Sequence, residues 1–371
     1  MAVSHHHTTQ KDYKNGKCYL FCFQGNDREK EKMKILLTGY FGFGNAGDEM
    51  IFHIMKTKFE NEGHCVYSLT KNPQNMNEFK RNSITAIYSA IKKSDVVVNG
   101  GGGILQDKTS SKSLYYYLFI IKVAKLLHKK VAVFAQGIGP LNKQINKIAV
   151  KNALNRADLI TVRDIHSENL LRDIGITKKI NLTSDLAFLY KEQRSIPIPF
   201  DRFVIYAIGK ARKMPPLIIL ANVGSYIKKS TGLPIIILPF YPERDGEVAR
   251  NLSGILESPL ITPAYIEQYP YIIEKSEFVV GMRYHAILLS ALKEKAFVGL
   301  SYDPKVRSLM EELAINGIES YENLSINNFK NVFNKNFVER ETIQKKLKEK
   351  LTTLKERAEE NFDLFSKTFG Q

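Results

Sequence analysis

The sequence predicts an α/β protein with two Rossmann-like, doubly wound domains facing a cleft. Three observations predict the two-domain α/β layout. Short apolar runs alternate with stretches whose apolar residues recur at helical spacing, the pattern of parallel strands covered on both faces. That rhythm breaks at "KEQRSIPIPF", with two prolines among charges, and then resumes. The chain has 371 residues, more than a single hydrophobic core usually organises.

The elements follow in order. Residues 1–32 are His-rich, polar and without periodicity, and read as an N-terminal extension, expected to be disordered and outside the fold. Met33 opens the first domain, 33–190, with strands expected at 34–40, 65–70, 84–88, 95–101, 130–137 and 158–164 and a helix over 114–128. Residues 191–200 form the linker. The second domain, 201–324, repeats the pattern with strands at 203–209, 233–241, 277–281 and 296–302. Residues 325–371 are charged and helical, with i,i+4 charge pairs. Acidic and basic residues nearly balance there, which favours a helix packing one apolar stripe on the body over a membrane-surface helix.

Composition bounds the function. The formal net charge of +16 points to an anionic partner. The lysines are spread along the chain and no zinc-finger, homeodomain or RNP-type motif occurs, so nucleic acid is not the expected partner. Three cysteines, Cys18, Cys22 and Cys65, make no disulfide framework, and Cys18 and Cys22 lack a second ligand pair at zinc spacing. A reducing, cytoplasmic compartment is expected. No run is long and apolar enough to span a bilayer.

In open parallel sheets ligands sit beyond the carboxyl ends of the strands, so those ends carry the functional reading. "GYFGFGNAGDEM" (39–50) is rich in glycine and places Asp48 and Glu49 at a helix start. Its spacing is not that of a dinucleotide fingerprint, and the acidic pair would repel a pyrophosphate. Asn45, Asp48 and Glu49 suit sugar hydroxyls; a plain turn and helix cap is the alternative. Gly101, Gly102 and Gly103 follow the fourth expected strand, where a ligand or another backbone comes close. Arg163 and Asp185 lie at further strand ends. In "GMRYHAILLSA" (281–291), Arg283 and His285 stand where a strand gives way to a helix. A helix N-terminus favours anions, and an arginine there can fork onto phosphate or carboxylate. The helix dipole lowers the histidine pKa and a bound phosphate raises it, so His285 can act as an acid once an anionic substrate is present. A hydrogen-bonded structural histidine is the competing reading. Lys305, in "SYDPKV", follows the next strand.

The ordered set "GYFGFGNAGDE", "GGGGILQD", "QGIGPL", "TVRD" with "SENLLRDIG", "SDLAF", "LPFYPERD", "GMRYHAILLSAL" and "GLSYDPKV" resembles the polysaccharide pyruvyl transferases, most closely the bacterial wall-polymer type, from about residue 33 to about 315. The resemblance implies a glycosyltransferase-B-like fold and transfer of pyruvate from phosphoenolpyruvate to two hydroxyls of one sugar, giving a cyclic ketal. It implies an N-acetylmannosamine acceptor in a secondary cell wall polymer, lipid-linked at the time of transfer, whose product is the ligand for surface-layer homology domains. A peripheral position at the inner face of the plasma membrane would follow. Arg163, Arg283 and His285 occupy motif positions, and the expected roles are His285 as proton donor and later base, with Arg163 and Arg283 on the donor's phosphate and carboxylate. Relatives often carry an arginine directly after the first strand of the second domain; here Lys210 or Arg212 would replace it, with Lys305 as a further donor contact. The acceptor side would hold Asn45, Asp48, Glu49, Gly101–Gly103 and Asp185. Phosphoenolpyruvate is a co-substrate, and the chemistry requires neither cofactor nor metal. Two rival readings are a nucleotide-sugar-dependent glycosyltransferase of the same fold and a basic peripheral membrane-binding protein.

Overall fold

The computed structural model describes residues 32–370 apart from 109, so the extension and the cysteines at 18 and 22 lie outside the described residues. The first half contains β1 (Lys34–Thr38), α1 (Ala46–Asn61), β2 (Cys65–Thr70), β3 (Glu78–Lys80), α2 (Ile84–Lys93), β4 (Val96–Gly100), α3 (Ser111–Leu126), β5 (Lys130–Gln136), α4 (Gln144–Leu154), β6 (Leu159–Val162), α5 (Ile165–Asp173) and β7 (Asn181–Leu182). The second contains β8 (Val204–Ala207), α6 (Leu217–Thr231), β9 (Ile235–Ile237), α7 (Pro242–Ile255), α8 (Gln268–Lys275), β10 (Phe278–Gly281), α9 (Tyr284–Leu292), β11 (Phe297–Gly299), α10 (Pro304–Leu313), α11 (Ile326–Val338) and α12 (Arg340–Phe369).

Two parallel sheets result, ordered β3-β2-β1-β4-β5-β6-β7 and β11-β10-β8-β9. The chain steps from β1 to β2 on one side and enters β4 on the other, so the strand order reverses between β1 and β4. In the second sheet it reverses between β8 and β10. A crevice opens where the crossovers leave in opposite directions, and ligands bind there in sheets of this kind. The loops at those reversals carry Gly39–Asn45, Gly101–Gly103, Ile208–Arg212 and Met282–Arg283.

One expected strand is a helix. Residues 84–88 begin α2, with Ser83 accepting the Ala86 N–H as its cap. Ile84, Ile87, Tyr88 and Ile91 recur at helical spacing, and a five-residue window hid that period. The three-residue strand β3 takes its place at the sheet edge.

The first sheet has two different faces. One packs α2, α3, α4 and α5 through Ile87, Leu118, Ile121, Val150 and Leu171. The other shares a core with the second half through α1 and α12. The tail helix α12 buries Leu347, Leu351, Leu354, Phe362 and Phe365 along one side. Phe362 and Phe365 meet Phe59 of α1 at 5.4 and 4.7 Å between ring centroids, so the tail ties back to the first sheet.

Polar contacts also join the halves. Ala46 donates its N–H to the Phe240 carbonyl at 3.1 Å. The Tyr40 and Tyr241 hydroxyls lie 2.9 Å apart, and Lys108 Nζ reaches the Tyr302 carbonyl and Asp303 Oδ2, both at 3.0 Å.

Candidate active site

The loop after β1 is shaped by Glu49. Its Oε1 accepts the N–H groups of Gly42, Phe43 and Gly44 at 2.8, 3.0 and 3.2 Å. Burial raises the Glu49 pKa, against the pull of those three bonds. Asn45 caps α1 by accepting the Gly47 N–H at 3.2 Å. Both residues therefore build the loop that aims the next two, Gly47 and Asp48.

Gly47 lies against the His285 ring so closely that a β-carbon would overlap Nδ1 and Cγ. This contact brings the first turn of α1 to the first turn of α9, across the two halves. His285 Nε2 is enclosed and has no hydrogen-bond partner. Burial lowers the His285 pKa to about 4; Asp185 opposes this, and Arg163 and Lys305 reinforce it. The imidazole is therefore neutral at pH 7.

Asp48, the residue after Gly47, is buried, 7 % exposed, with no hydrogen bond or ion pair among the described residues, and it shares the charges of Arg163, Asp185 and Lys305 with His285. Gly102, at φ +48°, leaves space that a β-carbon would fill by overlapping Asp48 Oδ1. Only a residue without a side chain combines that backbone with that approach. Burial raises the Asp48 carboxyl to about 7; Lys305 and Arg163 pull it down, and Glu49 and Asp185 push it up.

Arg163 is 2 % exposed. Its Nη1 donates to Asp185 Oδ2 at 2.6 Å, and its guanidinium carbon sits 4.0 Å from the centre of the Tyr284 ring. Burial opposes its charge, but Tyr284, Asp185 and Asp164 outweigh the burial and keep the guanidinium protonated. Its Nε and Nη2 are buried without hydrogen-bond partners, and Nε stands 3.6 Å from Asp164 Oδ2, an ion pair too long for a hydrogen bond. Buried donors of this kind are normally hydrogen-bonded, so two without a hydrogen bond on a single fork suit an oxyanion. Gly137 makes room for the fork, since a β-carbon there would stand 2.7 Å from Nε; Gly103 lies next to it, in ordinary contact with the fork. Asp185 is the counter-ion of Arg163, and it also accepts the Ala187 N–H at 2.9 Å.

Lys305 begins α10, where Asp303 caps the helix. Its Nζ has no hydrogen bond or ion pair among the described residues, yet its charge acts on Asp48, His285 and Tyr302. Tyr302 was not among the residues singled out from sequence. Burial raises its phenol, but Lys305 and Arg283 outweigh that and hold it below its ordinary value.

Arg283 stands differently from Lys305. Its guanidinium forks onto the fully buried Asp245, with Nε to Oδ2 at 3.0 Å and Nη2 to Oδ1, and also donates to the Lys210 carbonyl at 3.0 Å. Its charge is balanced chiefly by Asp245, and it also faces the Tyr302 ring, 5.1 Å from its centre. Lys210 pairs its ammonium with Glu247 at 3.3 Å, and Arg212 is exposed. Gly101 packs against Phe41. The structure thus gathers Asp48, Gly102, Arg163, His285 and Lys305 at one place. Asn45, Glu49, Asp185 and Arg283 each hold a neighbouring group.

The described helices include none long and apolar enough to cross a membrane. Solved structures share the fold. A protein described as a UDP-N-acetylglucosamine 2-epimerase from Listeria monocytogenes aligns over 92 % of this chain and 98 % of its own, at 12 % identity and TM-score 0.64. The UDP-GlcNAc 2-epimerase from Neisseria meningitidis aligns over 90 % and 100 %, at 13 % identity and TM-score 0.62. A glycosyltransferase from Rickettsia africae aligns over 91 % and 98 %, at 10 % identity and TM-score 0.56. The fold is of the glycosyltransferase-B kind. No curated protein matches the chain. The family model of polysaccharide pyruvyl transferase matches residues 45–304, and the chain belongs to that family.

Proposed function

We propose that the chain transfers pyruvate from phosphoenolpyruvate to two hydroxyls of a sugar in a wall polysaccharide, with N-acetylmannosamine on a lipid-linked precursor as the acceptor. The observation that carries this reading is the convergence of buried Arg163 donors without a hydrogen bond, an unpaired Lys305 ammonium and an unpaired His285 nitrogen with a buried Asp48. A donor with both a phosphate and a carboxylate needs more than one cation, and this place supplies two: Arg163, held by Asp185 but with donors to spare, and Lys305, whose ammonium makes no hydrogen bond or ion pair among the described residues.

The reaction balances as follows. The enol C3 gains a proton and becomes a methyl carbon. C2 takes on oxocarbenium character and is attacked by one sugar hydroxyl. The C2–O bond to phosphorus breaks, and its electron pair leaves with phosphate. The second hydroxyl closes the ketal. Two hydroxyl protons are released; one replaces the proton given to C3 and the other leaves with phosphate or solvent. Neutral His285 gains basicity when the anionic donor settles between Arg163 and Lys305, and then serves as the acid toward C3. Asp48, on the acceptor side, takes a hydroxyl proton in its ionised form. Arg163 and Lys305 hold the charge that grows on the departing phosphate.

The test is phosphate release from phosphoenolpyruvate, with and without an N-acetylmannosaminyl acceptor. Acceptor-dependent release is expected. Stabilisation against heat by a nucleotide sugar and not by phosphoenolpyruvate, with no phosphate release, would overturn the reading in favour of glycosyl transfer.

A further inference from the structure

We propose that the outer face of α2, α3 and α4 docks on an anionic lipid bilayer and sets the mouth of the cleft against the membrane. The proposal deepens the reading above, because it rests on a lipid-linked acceptor.

Three neighbouring helices carry exposed apolar residues on their outer sides. These are Ile84 and Tyr88 on α2, Tyr115 and Phe119 on α3, and Ile145 and Ile148 on α4. Each pair is three or four residues apart and so lies on one stripe of its helix. On α3 and α4 the opposite stripes fill the core against the first sheet; on α2 the exposed pair flanks the buried Ile87 and Ile91. Helix α3 packs between α2 and α4, which places the three stripes side by side. Scattered exposed apolar residues are ordinary, but adjacent ones on successive helices mark an interaction surface.

Charge selects the occupant. No Asp or Glu occurs within α2, α3 or α4. Lys92, Lys112, Lys122 and Lys151 are exposed on them. The contrast is α12, where glutamates alternate with lysines. The surplus here is therefore local and one-signed. Aromatic and aliphatic side chains flanked by lysines match an anionic interface: the rings enter the headgroup boundary and the lysine stems reach the phosphates. A second copy of the same basic face would be repelled.

The placement has a mechanical consequence. Ile84 and Ile145 lie in the first turns of their helices, and Tyr115 opens the second turn of α3. Those turns are at the carboxyl end of the first sheet, the end where Gly102 and Arg163 lie. Docking through them presents the cleft toward the lipid, within reach of a sugar held on a lipid carrier.

The test uses the full chain and vesicles of phosphatidylcholine with or without phosphatidylglycerol, read by co-sedimentation across a salt series. Two double variants probe the face: Tyr115→Ser with Phe119→Ser, and Lys112→Glu with Lys122→Glu. All four residues are exposed. Wild-type protein is expected to bind only vesicles with phosphatidylglycerol, more weakly as salt rises. Each double variant is expected to lower that binding about tenfold or more, with an unchanged melting temperature. Phosphate release with a soluble acceptor is expected to stay at the wild-type rate. Absent binding, binding indifferent to both variants, or self-association lost in the variants without vesicle binding would each overturn the proposal. If the transferase reading alone fails, vesicle binding persists without phosphoenolpyruvate turnover; if docking alone fails, turnover persists without variant-sensitive binding.

Discussion

Gly47 and His285 meet face to face, with no space for a β-carbon between the helix that starts at one and the helix that starts at the other. The contact links the motif after the first strand of one sheet to the motif after the third strand of the other. Alanine in a helix is intrinsically favoured over glycine by about 1 kcal/mol, so Gly47→Ala should stabilise if space were free. The expected outcome is the reverse: a lower melting temperature, and kcat reduced about 100-fold as His285 is displaced by an ångström or so. Thermal unfolding and steady-state kinetics check both. Unchanged turnover would mean that the position of His285 is not critical.

Asp48 and His285 are pushed in opposite directions, to about 7 and about 4. Two neighbouring groups separated in this way define an acid and base pair. Activity is expected to rise with pH through about 7 as Asp48 ionises, and Asp48→Asn should lower kcat by about 10²–10⁴. Stability follows the opposite course. Between its ordinary 3.8 and about 7, the folded chain holds a proton on Asp48 that the unfolded chain has lost, so stability falls as pH rises and the loss is complete above about 7. Asp48→Asn should therefore raise the melting temperature above pH 7, with the gain shrinking toward pH 4. For His285 the unfolded chain binds the extra proton between 6.5 and about 4, so stability falls as pH drops across that window. Melting curves at several pH values, for wild type, Asp48→Asn and His285→Asn, separate the two contributions.

The sheet strands with long apolar runs were legible in the sequence because burial on both faces leaves no ambiguity, as in "DVVVNGG" and "KVAVFAQG". The short edge strand β3 was not, since "EFK" has three residues and no apolar run. The site positions at strand ends were also legible, because the fold fixes where a ligand sits before any side chain is considered. What was not legible is which polar groups already have partners. Arg283 and Lys305 look alike as cations after strands, yet Asp245 lies 38 residues from Arg283 and claims it. Tyr302 and Tyr284 were hidden between more conspicuous neighbours, and only packing shows one among cations and the other beneath Arg163.

That difference between Arg283 and Lys305 gives a paired prediction. Arg283→Ala leaves Asp245 buried and uncompensated, which should cost about 3–5 kcal/mol of stability. Lys305→Ala leaves no such orphan among its described contacts and should lower the melting temperature little. Kinetics should show the opposite order of directness: Lys305→Ala raises KM for phosphoenolpyruvate at least tenfold with the fold intact. Arg283→Lys should recover part of the stability, although a point charge cannot reproduce the fork onto Asp245. A Lys305 variant with wild-type KM would remove that ammonium from the donor site.

Arg163 poses the hardest separation, because it has both a structural partner in Asp185 and donors without a hydrogen bond toward the site. Removing either member alone should cost about 3–5 kcal/mol, since the other charge stays buried. Loss of activity in Arg163→Met would then say little by itself. Replacing both, Arg163→Met with Asp185→Leu, removes the buried pair together, and such replacements are often neutral or stabilising. The double variant is expected to regain most of the melting temperature lost in the single ones. Turnover with phosphoenolpyruvate should stay at least 100-fold below wild type, because the oxyanion would have lost its fork. A double variant that regained both stability and activity would make the pair a packing device, and the donor's charge would then rest on Lys305.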